Sequence, residues 1–360
     1  MSLRGQIAYW TAGRLLPTSP GAFRLFLALL VFAHHLSSFG FGKFAVYVFF
    51  ALSGFWLNTM WRERYSCARA PYRTYLVSRV WRLAPVMIVT GIITIPALLL
   101  IGFDPGVVFS GEPLHFAFST VFLLFYSYLP FVPVAPAWSL DIEMQFYLAA
   151  PLLAVALLRP VLRLPLIAGA AILSLVTTLW WPVPTVANYA VFFVIGMVVS
   201  ATSWQPSRTL AFGSALAVSG TVLLVTLSPW RDILWGGANP GPLYAWNPLF
   251  NIVMALVCLP YALWTVYQKS DRADRMLADQ SFIIYLLHWV AVQWFYSLAG
   301  QPFADRLVAA ALGIAAVCVG SLVVWQVIDR PANRLRAAWV TSRMPAKSDN
   351  DSTSPAAILT

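Results

Sequence analysis

Eleven apolar segments follow one another along the 360-residue chain, at about 23–39, 44–61, 83–102, 115–131, 138–158, 164–181, 188–203, 209–228, 248–267, 282–299 and 307–328. Most reach the roughly 17–25 apolar residues that carry a helix through the hydrocarbon of a bilayer. Only 10% of the residues are charged and 60% are hydrophobic, against about 25% charged in a soluble domain. Most of the surface therefore faces something other than water. The expected fold is all-α, a polytopic membrane helical bundle with no soluble domain of any size.

The formal charge of +10 could suggest nucleic acid, but in such a chain the position of the basic residues reports topology. Arg62, Arg64, Arg69, Arg73, Arg79 and Arg82 follow the second segment and place that region in the cytoplasm. Arg4, Arg14 and Arg24 put the N-terminus on the same side, and Arg330, Arg334, Arg336, Arg343 and Lys347 do so for the C-terminal tail. Two cytoplasmic termini require an even number of crossings. The segment 115–131 is short, carries His115, Tyr126, Ser127 and Tyr128, and ends in prolines. It is expected to lie in the outer interface or to re-enter, which leaves ten spans. Of the 23 Lys and Arg residues, only Lys43, Arg231 and Arg306 then fall outside. The chain divides into a cytoplasmic segment at 1–20, a membrane-embedded domain at 21–336 and a polar, disordered cytoplasmic tail at 337–360. Cys67, Cys258 and Cys318 make neither a metal pattern nor a disulfide framework, and residues 1–20 lack the apolar core of a cleavable signal peptide.

Titratable side chains inside a span are expensive, and mark either function or a structural pair. They are few: His34 and His35 in the first span, Asp141 and Glu143 in the fourth, His288 in the ninth, with Arg24 at the inner edge of the first. Arg24 and His35 lie on one helix face, because eleven residues return to within about 20° of the starting direction while rising about 16 Å. His34 points roughly 100° away. Glu143 enters its span from outside and His35 approaches an outer exit, so the two share a depth some 6–8 Å below the surface. At matched depth they can form the base–orienter pair of general base catalysis. Plainer readings stand beside this one. Either group can be a hydrogen-bonded packing residue, Asp141 suits the interface, and His288 suits a structural role. Ser53-Gly54 fits a close helix contact better than a nucleophile, and Gln145 and Tyr147 either line a cavity or pack. Trp230, Trp235, Tyr244 and Trp246, with Asn239 and Asn247, suit a sugar or form an ordinary interfacial belt. On these residues alone an enzyme and a proton-coupled transporter or lipid-linked sugar flippase, with His35–Glu143 as a relay, both stay open.

Particular strings go further. In order they are Phe23-Arg24 through His34-His35, Val48-Phe49-Phe50-Ala51-Leu52-Ser53-Gly54-Phe55, Arg79-Val80-Trp81-Arg82-Leu83-Ala84-Pro85, Trp138-Ser139-Leu140-Asp141-Ile142-Glu143, Ser281 through Tyr285-Leu286-Leu287-His288, and Asp329-Arg330-Pro331. Together the chain resembles the acyltransferase family 3 of integral membrane O-acyltransferases, over roughly residues 22–335. The resemblance implies ten spans in a bacterial cytoplasmic (inner) membrane, an acyl-CoA co-substrate (commonly acetyl-CoA), no metal, and acceptor hydroxyls on surface or exported carbohydrates. It implies that His35 matches the family's essential histidine with Arg24 its paired arginine, that Arg79 and Arg82 match the basic motif, and that Glu143 matches the acidic residue after Trp-Ser-Leu. The chain departs from many relatives at Ala22-Phe23 and Tyr47, where a carboxylate is common, at Met144, and at Asp329 in place of Glu. The mechanism expected from both readings docks the coenzyme A phosphates on Arg79 and Arg82 and threads the thioester towards His35. That histidine, oriented by Glu143, either takes the acceptor's proton or is itself transiently acylated.

Overall fold

The computed structural model describes residues 17–180, 184–237 and 239–345. Arg4 and Arg14, most of the segment 1–20, and the tail from 346 on with Lys347 lie outside the described residues. The helices are α1 (Pro20–Leu36), α2 (Gly42–Glu63), α3 (Pro71–Leu100), α4 (Pro113–Phe122), α5 (Trp138–Ala156), α6 (Arg163–Trp180), α7 (Val186–Thr202), α8 (Arg208–Leu227), α9 (Asn247–Thr265), α10 (Arg272–Ser297), α11 (Phe303–Val324) and α12 (Arg330–Thr341). Among the described residues there is no strand, only one isolated bridge between Phe39 and Trp235. Among the described residues, seven helical stretches are long and apolar enough to cross a membrane. The chain is a helical membrane bundle, as its apolar runs require.

Segment 115–131 does not form a spanning helix. α4 has ten residues, about 15 Å against a hydrocarbon core of about 30 Å. It ends at Leu123, where φ is 55°, and Phe125 follows with φ 62°, two left-handed positions that break any continuation. Asp141 holds this turn: its carboxylate accepts from the Phe125 and Ser127 amides at 3.1 and 2.9 Å, and from the Gln145 side chain at 2.9 Å. Gln145 in turn accepts from the Val186 amide. Both residues tie the backbone of one segment to another.

α2 sits at the centre, packed on α1, α5, α7 and α9. It meets α7 backbone to backbone. A Cβ on Gly54 would fall on the Phe193 carbonyl, and one on Gly196 on the Ala51 carbonyl. Small residues at such crossings let van der Waals packing join helices in a solvent that gives no hydrophobic drive. At the rim, α6, α8 and α11 turn Leu175, Leu224 and Val319 outwards, the face expected towards lipid tails.

α1 packs along α10, and its N-terminus is capped from that helix. The Asp274 carboxylate accepts from the Gly21 and Ala22 amides, both at 3.0 Å, and from Ser270 at 2.7 Å. A buried anion there meets the positive end of the α1 dipole. Asp274→Ala is expected to lower stability by about 1–2 kcal/mol, read as a lower melting temperature in detergent. An unchanged melting temperature would show that the cap contributes nothing.

α11 runs into α12 through a π-helical turn at Trp325–Asp329. α12 then folds back on α3, joined by the Arg69 amide to the Arg343 carbonyl at 2.8 Å and by Trp81 against Trp339. Val340 is buried, so ordered helix reaches to Thr341, into the stretch read from sequence as tail.

Candidate active site

A cavity of about 370 Å³ runs through the bundle as a slot, walled by α1, α2, α3, α5, α10 and α12. Its spine is one stripe of α2: Val46, Phe49, Ser53, Trp56 and Met60, ending at Arg64 just past the helix. At steps of three and four residues the stripe stays on one face and covers about 27 Å. α5 adds Ser139, Glu143 and Tyr147 at steps of four, and α10 adds Ser281 and Tyr285.

One end of the slot is basic. Arg24, Arg64, Arg79, Arg82 and Arg336 line it, and among the described residues Glu143 is the single acidic one in the lining. Arg82 is spoken for. Its guanidinium bridges Asp329 at 2.6 Å and Asp279 at 3.0 Å, clamping α3 to α10 and to the π-helical turn. Arg79 is different: it is 6% exposed and donates to the Tyr65 hydroxyl at 2.9 Å. Its Nε has no partner, and no carboxylate pairs with it among the described residues. Arg336 likewise meets only neutral groups, Asn333 at 3.2 Å and Ser78 at 3.1 Å. Arg24 makes no hydrogen bond or ion pair among the described residues. The slot therefore carries unspent positive charge.

In the middle, Glu143 accepts from Ser53 at 2.6 Å and from Tyr147 at 2.7 Å, both on the same oxygen. At the other end Tyr285 closes the wall, with its hydroxyl 2.8 Å from Ser139 and its ring 6.1 Å from Phe49. Behind Tyr285 stand the imidazoles. His288 lies 6.1 Å from the Tyr285 ring. His35 stacks on His288 at 5.4 Å and 24° and touches Trp289 and His34. His34 is bonded through Nδ1 to the Phe39 carbonyl at 2.8 Å.

The sequence-derived residues thus part into two groups. Arg24, Arg79, Arg82 and Glu143 share the slot, while His35 lies beyond its wall. No hydrogen bond joins His35 to Glu143. The expectation of a His35–Glu143 pair is corrected, and the reason is lateral. Depth along two helices says nothing of what stands between them. Here α10 inserts Tyr285 and His288, and Glu143 turns to Ser53 on α2. Arg82 and Arg79, expected together, differ in their surroundings, because two carboxylates hold Arg82 and, among the described residues, none holds Arg79.

Sequence reasoning missed Arg336 and Arg64 as slot residues, and the Ser53–Glu143–Tyr147 network. The last was legible in part, since Glu143 and Tyr147 stand four apart on one face. Arg336 carried no such signal, its Ser78 partner being 258 residues away. The loop 229–247 docks beside His35: the Gly236 amide donates to Ser38 at 3.1 Å and Trp235 packs on Phe39. Trp230, Trp235 and Trp246 remain exposed there. Asn247 does not, its amide being used on the Gly40 and Ile233 carbonyls.

The fold and the slot define an integral, multi-pass membrane protein with a positively lined slot, and a cluster of histidines stands behind its Tyr285 wall. Over residues 19–329 the chain matches the family model described as an acyltransferase domain. It belongs to the acyltransferase family 3 and is a membrane acyltransferase. No curated protein and no solved structure compared with it matches.

Proposed function

We propose that the chain transfers an acyl group, usually acetyl, from cytoplasmic acyl-CoA to a hydroxyl of an extracytoplasmic or membrane-associated carbohydrate. It sits in a bacterial cytoplasmic membrane with ten crossings and both termini inside. The observation that carries this reading is Arg79. A buried guanidinium with no carboxylate beside it and an N–H left over is costly, and an anionic ligand repays it. Arg64 and Arg336 stand on the same wall, and arginine forks suit phosphate oxygens. The phosphate-bearing end of the donor binds there, and its arm lies along the α2 stripe past Arg24 and Glu143. Glu143, ordered by Ser53 and Tyr147, balances the arginines midway and works on the donor's arm.

For transfer the thioester end passes Tyr285, which closes the slot in this structure, to meet the imidazoles behind it. His35, half-buried at the opposite end from the arginines, takes the proton of the acceptor hydroxyl as its oxygen attacks the carbonyl carbon. The new C–O bond forms, the C–S bond breaks, and the proton leaves with sulfur as the free thiol. The exposed tryptophans of loop 229–247 offer flat apolar faces to a sugar on that side.

The test uses purified protein and acetyl-CoA, following thiol release and acetyl-CoA affinity. Arg79→Met and Arg336→Met are each expected to weaken acetyl-CoA binding about 10–100-fold, the worth of one charge-assisted bond. Mass spectrometry of surface glycans from cells carrying the native protein should show acetyl groups that cells without it lack. A protein that neither binds acetyl-CoA nor releases thiol, yet moves substrate or charge across vesicles, would be a transporter instead.

A further inference from the structure

His288 is wholly enclosed, 0% exposed, yet one of its ring nitrogens has nothing to bond. Nδ1 lies 3.1 Å from the Ile284 carbonyl. A carbonyl oxygen only accepts, so Nδ1 carries the hydrogen and Nε2 of the neutral ring is a bare lone pair. No hydrogen-bond partner reaches that atom. A purely structural ring at this depth is poorly served by an unsatisfied acceptor. Its aromatic neighbours are Phe32 at 5.1 Å, Tyr285 at 6.1 Å and His35 at 5.4 Å. Phe32 has no hydrogen to give, and the Tyr285 hydroxyl is engaged by Ser139 and the Pro136 carbonyl. His35 is what remains. It is half-buried and makes no hydrogen bond of its own among the described residues.

We propose that His288 is a positioning residue for acyl transfer, its Nε2 lone pair accepting the N–H of His35 so that the other His35 nitrogen faces the acceptor as a bare base. The inference rests on the acyl-transfer reading above. A neutral imidazole serves as a base only in one tautomer, and an acceptor behind it fixes which. That acceptor also steadies the imidazolium that forms. The expected carboxylate is not there, and a second imidazole fills its place. The inference requires the His35 ring to leave its present stack on His288, a turn that the broad χ2 torsion of histidine allows. The proton ledger is closed without His288. The acceptor's hydrogen passes to His35 and on to the departing sulfur, while His288 keeps its own hydrogen on Nδ1 throughout.

Two substitutions separate this role from a structural one. Asparagine at 288 keeps a donor where Nδ1 stands and removes the acceptor further out, whereas glutamine places an amide oxygen where Nε2 stands. The full chain is assayed in detergent with acetyl-CoA and methyl glucoside, following thiol release and acetylated sugar. His288→Asn is expected to lower kcat about 10²-fold with KM for acetyl-CoA unchanged, because His288 does not line the slot. His288→Gln is expected to stay within about tenfold of the parent. An active Asn variant beside an inactive Gln variant, equal losses in both, or failure of both to give monodisperse protein would each assign His288 to the Ile284 bond alone and overturn the inference. A parent protein that transfers no acetyl group would instead remove the functional reading, and this inference with it.

Discussion

His35→Ala is expected to lower kcat for acyl transfer by about 10²–10⁴-fold, the range set by removing a general base, and to leave the affinity for acetyl-CoA where it was. The separation follows from geometry. The slot proposed for the donor is lined by Arg24, Arg79, Arg336 and Glu143, whereas His35 lies behind Tyr285 and His288. A base lost beyond the wall touches the chemistry and not the docking. Substitutions at Arg79 and Arg336 should show the reverse pattern, with weaker binding and a kcat less affected. Measuring thiol release against acetyl-CoA concentration for the three variants decides the point. Wild-type turnover by His35→Ala would end the proposed chemistry. A trapped acyl-enzyme that forms in the parent without acceptor, and not in His35→Ala, would move the histidine from base to acyl carrier.

The second large effect is on folding. Gly196→Leu is expected to destabilise the bundle by at least about 3 kcal/mol, enough to lower the folded-to-unfolded ratio more than a hundredfold. The new side chain would meet the Ala51 carbonyl and the Phe55 amide, which are backbone atoms that cannot rotate aside. Gly54 meets the Phe193 carbonyl from the other helix, so relief on one side tightens the other. Separating α2 from α7 would also distort the slot, because α2 carries Ser53, Trp56 and Met60 on its wall. Gly213→Ala serves as control: nothing lies within 4 Å of a Cβ there, and alanine is favoured in a helix interior by about 1 kcal/mol. Monodisperse yield in detergent and melting temperature report both. Gly196→Leu protein that melts with the parent would show the crossing to be looser than its geometry.

How much of this was legible beforehand differs between levels. The helical membrane bundle was written in the apolar runs, because a backbone in hydrocarbon must bond to itself. Segment 115–131 was set apart correctly by its hydroxyls and prolines. The motif strings gave the family, whereas helix periodicity expected Arg24 and His35 on one face and only Arg24 lines the slot. Depth alone could not give contact: Glu143 was expected against His35 and instead accepts from Ser53 and Tyr147. Charge alone could not give availability either, since Arg82 is neutralised by Asp279 and Asp329 while Arg79 is not.

By itself, then, the sequence determined that the chain is helical, that it lives in a membrane, and that arginines, a glutamate and histidines are the chemistry it keeps there. Which of these meet was decided by tertiary structure. Periodicity constrains each helix separately, but the neighbours of a side chain depend on how helices rotate and cross. Those angles are settled by pairs such as Gly54 with Phe193 and Asp274 with the α1 amides, which stand far apart in the chain and meet only once it has folded.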